Sequence, residues 1–489
     1  MPENINIKSD QIAWIARGQA VVEARQPINS DAKILSAYAT AVVNPSEIFA
    51  GEVRYVGKVT FDLVVSVDGA INTVTAVAEF SDKITSPQIT AGTSATLMPE
   101  VINVEATVEG GTLKAVAVVD TSVIAVVDTQ ESLLSQPDEG IYAEKRVVSY
   151  STLSAEESET LYITDSVGMT GVTEVLSSVG RAVVTGVECL NGEIKTSGAV
   201  YTFAVVRSDD TVSSLRIITP FVKSIAAPVH DGDTAFVFAS VTDSSATPIS
   251  GENRIEVAAT LRLNAIALTS VSAEVVTDVF CADNEIEKTE KSVKCITAGP
   301  LTTVIDTVDG QIPIEADRLA ADNVLCVTGT FCQLTSAKIE DRRVNVEGLV
   351  GGDIVYYNAE HNATDVLSFR LPFSMPLANH TDAEDVTAFA TVTDVNVKVR
   401  RESVFDIKAE VAFTLFLSTA TEISCISAVE KGEPLARPDA SVIIHITRDG
   451  ETLWQAAKAL CCSPERVTEQ NSATPPYSEG QRLINFCNK

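Results

Sequence analysis

Histidine is scarce in this chain and tryptophan scarcer: 489 residues carry four of the first and two of the second. His230, His361, His380 and His445 stand far apart, none three or four residues from another, so no local zinc motif can be built from them. A GxSxG nucleophile elbow and an HExxH pair are both missing. The nearest approach to a phosphate loop, GEVRYVGK at 51–58, spaces its glycines by five residues, continues with Val59 and lies inside a strand pattern. It does not open a helix and cannot turn backbone N–H groups onto phosphate. No catalytic residue, metal or cofactor is expected, and the chain reads as a non-enzyme.

Long apolar runs are lacking too. No window reaches the roughly 18–20 apolar residues of a membrane span, and MPENINIKSDQIAW has no basic segment leading into an apolar one. Neither membrane insertion nor a cleaved leader is expected. Positive charge is short: 36 Lys and Arg against 66 Asp and Glu leave −30, which repels nucleic acid over most of the surface. There is no CxxC pair, and the nine cysteines are odd in number, a pattern of reduced thiols in a cytoplasmic protein. Adjacent Cys461 and Cys462, with Cys487, read as small buried hydrophobes, a cross-link among them being the alternative.

What is abundant is short alternating apolar runs. With 45% hydrophobic and 21% charged residues the chain is globular, and its length divides into three or four domains. Three segments align: AEFSDKI at 78–84, TPFVKSI at 219–225 and LPFSMPL at 371–377. Their phenylalanines, Phe80, Phe221 and Phe373, are 141 and 152 residues apart. A strand glycine precedes each, Gly57, Gly198 and Gly348, at offsets of 23, 23 and 25 residues. The phenylalanines read as core plugs and the glycines as bulges or close backbone approaches. Each unit begins with a helical or irregular piece (DAKILSAYA, VTEVLSSVG, EADRLAADN) and continues in strands with turns such as Asp68-Gly69. It closes in a long hairpin, the first turning at Gly110-Gly111. The expected fold class is mainly β: three tandem β-sandwich-like repeat domains at 1–130, 146–280 and 281–425, followed by a small module at 441–489.

That module has its own pattern. VIIHI reads as a strand, Arg448-Asp449-Gly450 as a turn, and Thr452 as the cap of a helix with Leu453, Ala456, Ala457 and Leu460 on its apolar stripe. Ser463 caps a second helix with Pro464 at its first position, and QRLINF forms a second strand.

This β-α-α-β order resembles the LysM domain, and GETLW at 450–454, AK at 457–458, SPERV at 463–467, Asn471 and GQRL at 480–483 carry the resemblance. LysM domains bind the N-acetylglucosamine backbone of peptidoglycan or chitin between two loops. The resemblance places a partner- or glycan-binding site at Arg448, Asp449, Gly450, Glu451, Thr452, Asn471 and Tyr477, with Arg448, Glu451 and Tyr477 as exposed loop residues and Trp454 as a core residue. Three β units followed by one LysM also resemble the SipL-like spore-coat morphogenetic proteins of Clostridia. That family implies a cytoplasmic protein of the mother cell at the forespore surface, non-enzymatic, acting in coat assembly through protein-protein contacts, its LysM domain binding the SpoIVA ATPase. A self-assembling filament or phage-tail component, and a peptidoglycan- or chitin-binding LysM protein, remain the alternatives.

Overall fold

The structure is a computed structural model that describes residues 2–90, 95–208, 211–249, 251–314, 321–358, 362–377, 381–400, 404–435 and 441–486. His361, His380, Cys487 and residues 315–320 of EADRLAADN lie outside the described residues.

The chain is mainly β, all of it antiparallel. β1 (Glu3–Pro27), β2 (Lys33–Phe49), β3 (Glu52–Val67), β4 (Ala70–Thr85), β5 (Ala95–Glu109) and β6 (Thr112–Gln136) form two sheets, ordered β1-β6-β5 and β2-β3-β4. β7 (Ile141–Gly168), β8 (Val172–Leu190), β9 (Glu193–Ser208), β10 (Thr211–Ala226), β11 (Thr234–Pro248) and β12 (Arg254–Cys281) form β11-β12-β7 and β10-β9-β8. In the third set, β13 (Asn284–Ala298) and β14 (Thr302–Pro313) pair successively along β19 (Val404–Pro434), which also pairs with β18 (Asp385–Arg400). β15 (Ala321–Glu340), β16 (Arg343–Asn358) and β17 (Ala363–Pro376) make the facing sheet.

Period-two alternation is what builds these layers. Val59, Phe61, Leu63 and Val65 of β3 face Leu113, Ala115, Ala117 and Val119 of β6, all at most 1% exposed, in one core between two sheets. Equivalent cores lie between the sheets of the second and third sets.

Gly57 pairs directly with Phe80, Gly198 with Phe221 and Gly348 with Phe373. Each ring lies over its glycine, in the space where a Cβ would stand. The expected close approach and the expected core plug are thus the two halves of one contact. The Gly110-Gly111 turn joins β5 to β6 with both residues at positive φ. The expected helical or irregular openings are corrected: DAKILSAYA runs into β2 and VTEVLSSVG lies in β8. β-bulges at Ile34/Ser36 and Val175/Ser177 break the alternation there and put apolar residues at helix-like spacing.

Further apolar clusters join the three sets. Ile7 and Leu133, Val148 and Val275, and Val293 and Ile423 meet in one core drawn from the ends of β1, β6, β7, β12, β13 and β19. Side chains of one set also bond amides of another. Asp10 Oδ2 accepts from Leu153 N (2.7 Å), Ser9 Oγ from Ile296 N (3.0 Å) and Ser151 Oγ from Ala298 N (3.0 Å). The long strands run past the expected boundaries: β6 continues beyond 130 to Gln136, β7 begins at Ile141, and β19 continues beyond 425 to Pro434. No helix among the described residues is long and apolar enough to cross a membrane.

Candidate functional site

Beyond the β body the chain forms β20 (Val442–Ile446), α1 (Leu453–Ala459), α2 (Pro464–Gln470) and β21 (Arg482–Phe486), with β20 and β21 antiparallel. Both helices are seven residues long, too short to persist without caps and packing. Thr452 and Gln455 form a capping box: Thr452 Oγ1 accepts from Gln455 N (3.2 Å) and Gln455 Oε1 from Thr452 N (2.9 Å). Ser463 Oγ accepts from Arg466 N (3.1 Å), and Pro464 opens α2. Ala456, Ala457, Leu460, Val467 and Leu483 fill a small core.

The two loops that carry the expected site are joined to each other. Gly450 N donates to Tyr477 O and Tyr477 N to Glu451 O, both at 2.9 Å, while Thr447 Oγ1 donates to Ser478 O (2.6 Å). Gly450 turns at φ +74°, a conformation suited to glycine. Among the seven expected site residues, Arg448, Asp449, Gly450 and Thr452 are exposed. Glu451 and Tyr477, expected to be exposed, are buried at 8% and 1%. The Glu451 carboxylate is turned inward, onto His445 Nε2 (2.6 Å) and the Arg448 amide (2.7 Å). Burial alone would raise its pKa, but the Arg448 amide and the His445 ring outweigh burial and hold it below the usual value. Asn471 is half-buried and spends its side chain on structure: Nδ2 donates to Val467 O and Ile484 O, and Oδ1 accepts from Ile484 N.

Trp454 is buried as expected, and it does more than fill the small core. Its ring meets Phe280 edge-on at 4.9 Å, and its Nε1 donates to Asp278 Oδ2 (2.8 Å). Lys458 Nζ lies 2.6 Å from the same oxygen, and Lys288 Nζ 3.3 Å from Asp278 Oδ1. Burial pushes the Asp278 pKa up, but the Lys458 and Trp454 hydrogen bonds prevail and bring it below normal. A bulge at Val276/Asp278 presents this carboxylate to the module. Nothing in VTDVFCADNE signals the role, since Trp454 and Lys458 lie 176 and 180 residues downstream.

The opposite side of the module is bare. β20 and β21 pair Val442 with Phe486, Ile444 with Ile484 and Ile446 with Arg482. Val442, Ile444, Ile446 and Phe486 are 40%, 60%, 62% and 51% exposed. Arg448, Lys458, Arg466, Arg482 and Lys489 balance Asp449, Glu451, Glu465, Glu469 and Glu479, so residues 441–489 are neutral in a chain of charge −30.

Among the described residues no group of three or more His, Cys, Asp or Glu side chains could hold a metal ion, and the eight described cysteines are unbridged. No protein-family model, curated protein or solved structure matches the chain.

Proposed function

We propose that this chain is a non-enzymatic assembly protein of the SipL-like spore-coat type: three tandem β-sandwich-like repeats, with a LysM domain at 441–489 as the partner-binding module. The observation that carries the reading is the bare sheet face of Val442, Ile444, Ile446 and Phe486, which opposes the face that holds the module to the body. A flat apolar surface edged by Arg482 suits a protein partner. The module's other rings, Trp454 and Tyr477, are buried, so its loops offer no aromatic platform for a sugar. This disfavours peptidoglycan or chitin as the ligand. On this reading the protein works in the mother cell at the forespore surface, with the SpoIVA ATPase as the partner implied by resemblance.

The test is co-elution of the full chain with purified SpoIVA, alongside sedimentation with peptidoglycan sacculi. Co-elution with SpoIVA, lost in I444R and I446R variants that keep the wild-type circular dichroism, supports the proposal. Module-dependent sedimentation with sacculi, or a source organism that makes no spores, refutes it.

A further inference from the structure

Arg181 lies near the junctions of the β body. It lies in β8, paired with Tyr201, and its guanidinium sits over the Phe203 ring, 5.0 Å from the centroid. Every acceptor it meets is neutral: Nη1 donates to Thr330 Oγ1 (2.9 Å) and Val392 O (3.5 Å), and Nη2 to Thr330 O. Among the described residues no carboxylate lies within ion-pair distance of it. Burial pulls its pKa down to about 10, with Tyr38 and Cys332 acting the other way, so the charge persists at neutral pH. A cation drawn out of water without a counter-charge is costly, in a chain whose net charge of −30 offers carboxylates almost everywhere.

Arg181 as a whole residue is half-buried and lines two clefts, of about 340 and 290 Å³. In the larger cleft the other charges are ion-paired, whereas the smaller one also holds Arg370, over the Phe331 ring, and Asp353, bonded to neutral hydroxyls. Arg216 pairs with Asp394 (3.4 Å) and Glu410 (3.6 Å), and Asp353 accepts from Ser36 Oγ (2.6 Å) and Ser368 Oγ (2.7 Å). Phe203, Leu215, Leu325 and Val397 give the larger cleft apolar walls. Its volume falls at the lower end of small-molecule sites, roughly 300–1,000 Å³.

We propose that the larger cleft binds a small monocarboxylate with an apolar body, its carboxylate on Arg181 and its body against Phe203, Leu215, Leu325 and Val397. One unmatched positive charge calls for one negative charge, and Asp394 in the same cleft disfavours a dianion. This site is independent of the terminal module.

Calorimetric titration of the full chain with sodium hexanoate tests it, with 1-hexanol and inorganic phosphate as comparison probes. Saturable hexanoate binding is expected, with hexanol and phosphate each weaker by roughly tenfold or more, the loss that accompanies removal of a charge-assisted hydrogen bond or a mismatch of charge. R181Q is expected to lose hexanoate binding. L215W fills the cleft while leaving Arg181 in place, and is expected to abolish binding in a chain with wild-type circular dichroism, which decides the matter if R181Q fails to fold. Absence of hexanoate binding to the wild type, equal binding of phosphate or hexanol, or binding unchanged in a folded R181Q or L215W overturns the proposal.

Discussion

The three glycine-phenylalanine pairs look alike in sequence, but alanine at the glycine should affect them unequally. At Gly57 the nearest atoms to an added Cβ all belong to side chains, the Phe80 ring and Val43 Cγ1 at 3.0 Å. At Gly198 it meets Phe221 Cζ at 2.7 Å and also the Val183 carbonyl oxygen; at Gly348 it meets Phe373 Cζ at 2.7 Å and the Gln333 carbonyl oxygen. Overpacking a strand costs about 1–3 kcal/mol, and alanine returns about 0.4–1 kcal/mol by restricting the unfolded chain. For G57A, whose neighbours can rotate, the net loss is expected near 1 kcal/mol. In G198A and G348A the backbone of β8 or β15 must move, and a loss of about 2–3 kcal/mol follows from the upper end of the same range. Removing the ring separates the two causes. In the G57A/F80A double variant the alanine clash is largely relieved, giving coupling of about 1 kcal/mol or more. In G198A/F221A the carbonyl clash persists and coupling is weaker. The measurement is the shift in guanidinium unfolding midpoint of the full chain, with hydrogen exchange of the β9 and β3 amides to locate the effect. Equal losses at Gly57 and Gly198, or equal coupling in the two double variants, would refute the reasoning.

Other outcomes follow from the module and its seat. D278A leaves Trp454 Nε1 and Lys458 without their acceptor, a loss of about 1–3 kcal/mol for a buried donor. In a W14F background the Trp454 emission should shift to the red, and an unshifted spectrum would place the contact elsewhere. Glu451 has a folded pKa below its unfolded value, so its contribution is fully present above the unfolded pKa of about 4.3 and is lost as pH falls through the folded one. E451Q should flatten the acid limb of module unfolding below that pH, and an unchanged limb would assign the effect to other carboxylates. Asp278, lowered in the same direction, should add acid sensitivity to module release, a contribution that D278N removes.

Local chemistry made much of this fold legible. Gly110-Gly111 had to be a tight turn, and Thr452, Ser463 and Pro464 had to open helices, because each rests on backbone geometry within a few residues. DAKILSAYA misled because the bulge at Ile34/Ser36 shifts β2 by one residue, buries Leu35 and Ser36 in succession and mimics a helical stripe. Glu451 and Tyr477 misled for a different reason. A loop position says nothing of burial, and two loops that bond each other turn their side chains inward. Asp278 and Arg181 were illegible altogether, since their meaning comes from Trp454 and from Thr330, brought near only by the packed body.

β1 finds its main partner in β6, so residue 4 pairs with residue 134, and β7 likewise waits for β12. During synthesis the first strand of each set therefore leaves the ribosome with its edge unsatisfied, and must be kept from foreign strands until at least 85 further residues have emerged, the separation of Pro27 from Thr112. The shared cluster of Ile7, Val148, Val293 and Ile423 closes only once β19 is out. Trp454 can settle against Phe280 after that, so a segment made after all three sets is the one that reports a finished body.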